Sequence, residues 1–258
     1  MAKAREEIGA ALTFLGTIEE IWRYPVSSLG GEKLTSVEID ETGIIGDRQW
    51  CISDAKSGEV ATPEKQERWR PALFLNSRLT DNSAEIGFPD GCWLDVCDDS
   101  IDAKLAQHFG FETTLLAYEN TGVRDPSVRG IGVNRYEPSP LHLITTSSLD
   151  QLSNLLGNET VDSRRFRANV VLRTEGQAEF REKAWIGQRL KLGSSGIIEA
   201  YEETKRCGMT LIAQPDINEN ADILRTILRQ NRRNFGIYAS VTKTGAITLG
   251  DSVHLQDV

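Results

Sequence analysis

The chain has 258 residues, a formal net charge of −9, 39 % apolar residues and 26 % charged residues. A chain of this length can bury one large core or two modest cores, and both shares are those of an ordinary globular protein. The acidic balance argues against a nucleic-acid partner, which requires a basic surface. No apolar run is long enough for a membrane span, and no secretory signal is recognisable, so we expect a cytoplasmic protein.

The first half of the chain is predicted to form short strands separated by turns, because its segments are rich in β-branched and aromatic residues. One helix is predicted where Ile101, Leu105 and Phe109 share a face. Ser100 is expected to cap its start and Gly110 to end it. The predicted strands are Thr17 to Tyr24, Leu34 to Ile39, Gln49 to Ser53, Ala72 to Leu79 and Thr113 to Tyr118.

An irregular stretch rich in Gly, Pro and Arg, residues 121–140, follows these strands. Long irregular segments inside a compact chain are often functional or linkers. We therefore place a boundary between two domains there, with residues 12–120 in the first domain and residues 121–258 in the second. In the second domain we predict strands at Leu141 to Ile144, Val170 to Arg173, Arg189 to Leu192 and Ile197 to Tyr201, helices at Ser147 to Leu156 (capped by Thr146) and Asn220 to Gln230, and a closing hairpin of Phe235 to Val241 with Ala246 to Leu249.

The four cysteines form neither a disulfide framework nor a zinc-ribbon pattern, since no Cys-x-x-Cys pair occurs. Cys92 and Cys97 lie in a predicted strand, where their spacing places the two thiols on opposite faces. Cys51 lies in another predicted strand and is expected in the core. Cys207 is left as the thiol with a charged neighbourhood, because it directly follows a lysine and an arginine.

The segment RRFRAN, residues 164–169, is dense in arginine. If it is extended, Arg165, Arg167 and Asn169 share one face of a strand. Neighbouring guanidinium groups repel each other unless solvent or an anion separates them, and a phosphate would accept hydrogen bonds from both. A solvated strand face explains the same residues, so the pattern alone leaves both interpretations open.

A second polar segment is Gly46-Asp47-Arg48, before a predicted strand. The glycine permits a tight turn, from which Arg48 can project into a cleft. The alternative is an exposed turn with a local ion pair, which contributes little stability.

Several segments, in this order, resemble one known family. They are GTIEEIWRYPVSSLGGEKL, GIIGDRQW, RRFRANVV, TKRCGMT and FGIYASVTKTGAITLGDSV. Together they are similar to the MOSC domain, the C-terminal domain of molybdenum cofactor sulfurases, and to the β-barrel domain that precedes it in amidoxime-reducing components. The likeness runs from about Phe14 to Leu255. It implies a β-rich α+β fold, in which a MOSC-type β-barrel with peripheral helices follows an N-terminal β-barrel-like domain.

The resemblance also implies a cofactor and its ligands. The cofactor is the molybdenum cofactor, a pterin (molybdopterin) whose dithiolene holds molybdenum, and Cys207 matches the catalytic cysteine that binds the metal. A soft sulfur ligand suits such a metal, and the adjacent Lys205 and Arg206 favour the thiolate. The residues expected to bind the cofactor are Ser28, Arg48, Thr145, Thr146, Arg165, Arg167, Asn169 and Arg206.

Two positions depart from the family pattern. Ala168 stands where many relatives have proline, which removes rigidity but leaves the polar face intact. Ser27 stands where the family has a lysine, so it offers a neutral hydrogen bond in place of a point charge. Arg48, Arg165 and Arg167 are the residues that can compensate.

The function implied by the resemblance is that of an oxidoreductase that reduces small N-oxygenated (N-hydroxylated) molecules. The cysteines of a fused ferredoxin-like domain are absent from this chain, so electrons are expected from a separate iron–sulfur, haem or flavin protein. A non-redox carrier is the alternative, in which Cys207 transfers persulfide sulfur or the chain only binds the cofactor. In a third interpretation Cys207 is structural.

Overall fold

The computed structural model describes residues 12–80, 83–118, 130–133 and 139–256. Most of the irregular stretch in which we placed a domain boundary lies outside these residues. Within them, no helix has the length and apolar character of a membrane span.

The described residues form seventeen strands, three α-helices and four 3-10 helices. The α-helices are α1 (Ile101–Phe109), α2 (Thr146–Leu155) and α3 (Ala221–Gln230), and the 3-10 helices are Glu67–Phe74, Ser163–Phe166, Glu182–Trp185 and Gly208–Leu211. The strands are β1 (Thr13–Arg23), β2 (Glu32–Leu34), β3 (Ser36–Asp40), β4 (Gly43–Ile44), β5 (Trp50–Asp54), β6 (Asn76–Leu79), β7 (Ala84–Gly87), β8 (Trp93–Asp95), β9 (Thr113–Tyr118), β10 (Ile131–Gly132), β11 (Leu141–Thr145), β12 (Val170–Arg173), β13 (Arg189–Leu192), β14 (Gly196–Lys205), β15 (Asn234–Lys243), β16 (Gly245–Thr248) and β17 (Ser252–Gln256).

Seven strands form a closed barrel in the order β12-β11-β15-β14-β13-β17-β1, and β1 pairs back onto β12. The pairing of β11 with β12 is parallel, and helix α2 lies in the crossover between them, as parallel neighbours require. The other neighbours in the barrel are antiparallel. The β-rich α+β fold with a β-barrel and peripheral helices is therefore confirmed.

Strand β1 completes the barrel although it comes from the other end of the sequence. It pairs with β17 on one side and with β12 on the other. Alternate side chains of the barrel strands point inward and form one apolar core. Its buried members include Ile18, Ile21, Ile39, Ile44, Leu141, Leu143, Val170, Leu172, Leu190, Leu192, Ile198, Ile237, Ile247 and Val253.

A second core lies under the rest of the N-terminal half and is built around Trp69. The centroid of its ring lies 5.2 Å from that of Phe109 and 4.8 Å from that of Phe111, both in edge-to-face geometry. This arrangement suits the charge distribution of aromatic rings. Helix α1 supplies Ile101, Leu105 and Phe109 to this core, as the sequence predicts.

Two predicted N-terminal details are wrong. Ser100 does not cap the first N–H groups of α1, because its hydroxyl bonds the Asp98 carboxylate, with 2.6 Å between the oxygens. The segment Ala72 to Leu79 is not one strand. Its first part belongs to the 3-10 helix Glu67–Phe74, since Pro71 fixes a helical φ there and Trp69 is buried. The predicted end of α1 at Gly110 is confirmed, with a φ of 78°.

The predicted closing hairpin is also wrong. Strand β16 pairs with β3, and not with β15. The reason is that β15 already has β11 on one side and β14 on the other, so it offers no free edge. The strand after its turn therefore pairs outside the barrel.

Helix α2 begins one residue earlier than predicted. Thr145, and not Thr146, is its N-cap, since Thr145 Oγ1 accepts a hydrogen bond from the Ser148 N–H at 3.1 Å. Leu155, at the end of the helix, is exposed, whereas Leu152 is fully buried.

Glu182 is a buried carboxylate, 2 % exposed, at the start of α2. Its Oε1 accepts hydrogen bonds from Thr145 N at 2.7 Å and from Thr145 Oγ1 at 3.0 Å, and its Oε2 accepts one from Ser148 Oγ at 2.5 Å. Burial raises the pKa of Glu182, although the hydrogen bonds act in the opposite direction. This carboxylate therefore holds the end of β11 and the first turn of α2 in place.

We predict that Glu182→Ala lowers the free energy of unfolding by about 2–3 kcal/mol, because buried donors of Thr145 and Ser148 lose their acceptor. Urea denaturation at neutral pH measures the loss. Glu179→Ala is the matched control, since its exposed side chain pairs only with Arg181 at the surface. Equal stability of the two variants would contradict a structural role for Glu182.

Candidate functional site

Asn169 lies at the point where three barrel strands meet, just before β12. It is fully buried. Its backbone N–H donates to the carbonyl oxygen of His142 in β11, and its carbonyl oxygen accepts from the N–H of Trp22 in β1, each with 2.8 Å between nitrogen and oxygen. The backbone of Asn169 thus joins β11 and β1 where β12 begins.

The side chain of Asn169 extends this network to a turn of the N-terminal half. Its Oδ1 accepts from His142 N at 3.1 Å and from Arg48 Nη1 at 3.4 Å. Its Nδ2 donates to Trp22 O at 3.3 Å and to Asp47 Oδ2 at 3.1 Å. The side-chain nitrogen thus donates two hydrogen bonds and the side-chain oxygen accepts two, so the amide is fully hydrogen-bonded.

Arg48 is held by the turn that the sequence predicts at Gly46. Gly46 has a φ of 86°, a conformation that glycine adopts without strain, and Arg48 itself has a φ of 49°. Its guanidinium pairs with the Asp47 carboxylate and donates from Nη2 to Arg167 O at 2.9 Å. Burial disfavours its charge, but Asp47 and Tyr24 outweigh this cost, so the pKa of Arg48 is raised.

The alternative interpretation of the segment Gly46-Asp47-Arg48 was an exposed turn with a local ion pair. The ion pair of Asp47 with Arg48 is present, but it is partly buried. The side chain of Asp47 is only 9 % exposed and that of Arg48 is 32 % exposed. Both bond Asn169 across the molecule as well.

Arg167 breaks the extended conformation assumed for its segment. Ser163–Phe166 is a 3-10 helix, and Arg167 has a left-handed φ of 53°, so the alternation predicted for Arg165, Arg167 and Asn169 is wrong. The Arg167 guanidinium carbon lies 4.3 Å from the ring centroid of Tyr24. Burial is the main reason that its pKa falls to about 10, and Arg48 and Arg206 lower it further.

Arg206 is the third guanidinium of the cluster and is only 7 % exposed. Its Nη2 donates to Phe166 O at 2.7 Å, and its Nη1 lies 3.3 Å from His142 Nε2. Burial lowers its pKa, and the charge of Arg48 acts in the same direction.

His142 stands in the apolar run of residues 141–144, a position typical of a core residue. It is buried, but it faces the arginines as well as the core. Burial, then Arg206, then Arg48 hold the pKa of His142 well below 6.5. The ring is therefore neutral at pH 7, and its Nε2 accepts the hydrogen bond of Arg206. Gly236, with a φ of 83°, leaves room for the ring, since a Cβ there would lie 2.8 Å from Nε2.

Cys207 is half-buried and directly follows Arg206. It caps the 3-10 helix Gly208–Leu211, and its carbonyl oxygen accepts hydrogen bonds from Thr210 N at 3.2 Å and Thr210 Oγ1 at 3.1 Å. A Cβ at Gly208 would lie 2.9 Å from Glu64 O, so this turn packs closely against the N-terminal half. The structure therefore places the thiol at the edge of the arginine cluster.

The described residues contain no group of three or more His, Cys, Asp or Glu side chains able to hold a metal ion. Within the described part of the chain, Cys207 is therefore not a member of a ready-made three-ligand metal site.

Arg165 lies apart from the other arginines. Its Nη1 donates to Thr210 O at 3.2 Å and its Nη2 donates to Asn218 O at 2.6 Å. These contacts brace the turn that follows Cys207. Arg165 thus contacts the 3-10 helix Gly208–Leu211, which directly follows Cys207.

Of the remaining predicted site residues, Thr145 and Thr146 have their contacts elsewhere, whereas Ser28 directly precedes Leu29, whose carbonyl oxygen accepts a hydrogen bond from Arg167 Nη1. Thr145 is fully buried and bonds Glu182. Thr146 lines a separate shallow cleft of about 540 Å³, whose lining shares no residue with the cluster. Ser28 has a φ of 70°, and its Oγ lies 3.5 Å from Ala61 O.

Tyr24, Asp47 and His142 belong to the site but are missing from the residues selected by sequence. Tyr24 and Asp47 lie inside segments that carry the family resemblance, and Asp47 is the neighbour of Arg48 in the sequence. Their place in these segments was the signal that could have identified them. His142 stands in an apolar run, and nothing in that run indicates the guanidinium of Arg206 beside it.

The cluster has an excess of positive charge and unused donors. The Asp47 carboxylate pairs with Arg48 and favours the charge of Arg167, whereas no ion pair is described for Arg206. Three buried polar atoms of the cluster have no hydrogen-bond partner among the described residues: Tyr24 OH, Arg167 Nη2 and Arg206 Nε. Unpaired buried donors are costly, and an anion with several acceptor oxygens would satisfy them. The arrangement is that of an anion-binding site beside a thiol.

Family models match the two halves of the chain separately. The model described as "MOSC domain" matches residues 131–254, and the model described as "MOSC N-terminal beta barrel domain" matches residues 15–91. This chain belongs to the MOSC family. The arginine cluster draws on both matched regions of this MOSC protein, since Arg48 lies in the first and Arg206 in the second.

Individual relatives are distant. The MOSC chain is 23 % identical to mitochondrial amidoxime reducing component 2 of Rattus norvegicus, over 98 % of this chain and 87 % of the relative. It is 26 % identical to molybdenum cofactor sulfurase of Drosophila grimshawi, over 84 % of this chain but only 31 % of that much longer relative. The crystal structure of the YuaD protein from Bacillus subtilis shares the fold, with a TM-score of 0.51 and 12 % identity over 96 % of this chain and 100 % of that chain.

We predict that Asn169→Ala lowers the free energy of unfolding by about 3 kcal/mol or more, because several buried groups lose their partner at once. Urea denaturation monitored by tryptophan fluorescence measures the change. Asn154→Ala, on the exposed side of α2, is the control and is expected to stay within about 0.5 kcal/mol of wild type. A midpoint for Asn169→Ala equal to that of the control would contradict the role of Asn169.

A second prediction concerns pH. The pKa of His142 is lower in the folded protein than in the unfolded chain, where it is 6.5. Protons therefore bind preferentially to the unfolded state, and the stability that the neutral ring contributes above pH 6.5 is lost as the pH falls below it. His142→Gln, which does not titrate, should lose less stability than wild type between pH 7 and pH 5. Parallel losses would show that the ring is not held neutral.

Proposed function

We propose that this MOSC protein binds a molybdenum cofactor in the arginine cluster and uses it to reduce small N-oxygenated substrates. The observation that carries the proposal is the position of one half-buried thiol, Cys207, beside an excess of guanidinium charge with unpaired buried donors. The relationship to an amidoxime reducing component over nearly the whole chain supports the same conclusion.

The residues present fit this cofactor. Its pterin carries a phosphate and further acceptor atoms, which match the unpaired donors of Tyr24, Arg167 and Arg206. Its dithiolene brings sulfur ligands for the metal, so a single protein thiol is sufficient. Ser27 lacks the charge of the family lysine, but the three guanidiniums of the cluster already exceed the one carboxylate among them.

When bound, the cofactor would supply two-electron redox chemistry at its metal. The residues around it would hold and orient it. The neutral His142 ring would hold Arg206, the residue before Cys207, through its Nη1. Asn169 and Asp47 would fix the direction of Arg48. These contacts exist in the fold without the ligand, so the site would be preorganised.

The overall reaction would break the N–O bond of the substrate. Two electrons would come from a separate donor protein and two protons from solvent. The products would be the reduced nitrogen compound and water.

A carrier function is the second candidate. The relationship to a molybdenum cofactor sulfurase favours it, although this chain spans only 31 % of that relative. In this case the cluster would bind the cofactor without turnover, or Cys207 would carry sulfur as a persulfide.

We predict that the protein, isolated from a host that makes molybdenum cofactor, contains close to one molybdenum and one pterin per chain. Cys207→Ala should lose the molybdenum, because the metal loses its protein ligand. Cys92→Ala, at a half-buried thiol on the N-terminal core, is the control and should retain both. Metal analysis and pterin fluorescence after oxidation measure the two contents.

The outcomes separate the candidates. Molybdenum in wild type, together with turnover of an amidoxime by the loaded protein, would support the reductase. Pterin without turnover, or persulfide on Cys207, would favour a carrier. Absence of metal, pterin and persulfide from wild type would overturn both candidates.

A further inference from the structure

The surface next to Cys207 is basic, although the chain as a whole has a net charge of −9. We call four exposed cations the basic rim: Lys205, Arg229, Arg232 and Arg233. They come from the end of β14, the last turn of α3 and the connection from α3 to β15. Their charge is opposite in sign to that of most of the molecule.

Hydrogen bonds connect one residue of this rim, Arg233, to the residue that precedes Cys207. Arg206 N donates to Arg233 O at 2.8 Å, and Arg233 Nε donates to Arg206 O at 2.6 Å. Lys205 lies opposite Asn234 in the pairing of β14 with β15. The rim is thus hydrogen-bonded directly to the residue that precedes Cys207.

The connection that carries two of these cations has an uncommon conformation. Arg232 and Arg233 both have left-handed backbones, with φ values of 50° and 76°. Residues other than glycine rarely adopt this conformation, and it persists where the surrounding structure fixes it. The sequence therefore presents two consecutive arginines at a place where glycine or asparagine would be less strained.

The rim is not neutralised by local carboxylates. Arg225, on the same helix as Arg229, pairs with Asp222, and Arg173 pairs with Glu19. Among the described residues no such ion pair involves Lys205, Arg229 or Arg232. The acidic residues of β14 nearest to the rim, Glu202 and Glu203, lie opposite Tyr238 and Ile237, farther from its end. An excess of positive charge therefore remains at the surface.

We propose that the basic rim is the docking surface for an acidic one-electron carrier protein that reduces the site at Cys207. The inference rests on the proposed function. An acidic carrier would be attracted by the positive basic rim and repelled by the acidic remainder of the molecule. Such electrostatic complementarity acts mainly on the association rate and on the orientation of the partners. Lys205 lies two residues before Cys207, and Arg233 is hydrogen-bonded to Arg206, which directly precedes the thiol. Each docking transfers one electron and oxidises the carrier, and two dockings supply the pair that the reaction consumes.

This surface reverses the expectation from net charge, by which an acidic chain would prefer a basic partner. It also distinguishes a protein carrier from the cofactor. Arg206 of the cluster is buried and Arg48 and Arg167 are half-buried, whereas the four cations of the rim are exposed.

The test is a binding measurement with purified carriers of known charge. Biolayer interferometry at low ionic strength compares an acidic [2Fe–2S] ferredoxin and an acidic flavodoxin with basic cytochrome c. Binding of an acidic carrier should be saturable and should weaken steeply with salt, because exposed charges are screened. Cytochrome c should bind more weakly.

The decisive variant is the double substitution Arg229→Glu with Arg232→Glu, which leaves the contacts of Arg233 and Arg206 intact. Its matched control is Lys191→Glu with Lys243→Glu, which changes the net charge equally at the other end of the same strands, where both lysines adjoin Ile197. The rim variant should lower the association rate of the acidic carrier at least about tenfold, while the control stays near wild type. Circular dichroism confirms that both variants fold.

Three outcomes would overturn the proposal: no saturable binding of either acidic carrier, equal losses in both double variants, or tighter binding of a single-stranded oligonucleotide at the rim than of any carrier. Metal and pterin contents are measured on the same samples. If protein that lacks molybdenum still binds the carrier through the rim, the docking surface is supported and the reductase function is contradicted. If molybdenum-loaded protein does not bind the carrier, the docking surface is contradicted and the reductase function is not.

Discussion

The hydrogen bonds of Asn169 are the constraint on which the site depends. One buried amide bonds the strands that carry Trp22 and His142 and the turn that carries Asp47 and Arg48. Because these groups come from distant parts of the sequence, their relative positions are fixed only when all bonds form together. The direction of the Arg48 guanidinium follows from this frame, and His142, which belongs to it, contacts Arg206.

That frame holds charges in an arrangement that the protein alone does not satisfy. Burial lowers the pKa of both Arg167 and Arg206, which means that the folded chain opposes their charged forms. The neutral ring of His142 avoids adding a further charge. A site of this kind gains stability when an anion enters, since ligand binding to the folded state stabilises it by mass action. Function and stability are therefore linked at the same residues.

The sequence predicts part of this arrangement. Cys207, Arg48, Arg167 and Asn169 stand in motifs whose order points to the family, and the fold follows from that order. The conformation of residues 163–167 could not be predicted, because a single left-handed residue rotates the side chains on either side of it. The prediction of a closing hairpin was wrong for a different reason. Local alternation does not reveal that both edges of β15 are already occupied.

The pairing of β1 with β17 also bears on the order of folding during synthesis. Thr13 pairs with Leu255, so the first described strand waits for the last one before the barrel closes. Contacts of such long sequence separation form slowly and leave strand edges open in the meantime. Arg48 and Arg206 meet only across this closed barrel. The arginine cluster is therefore among the last features to form as the chain folds.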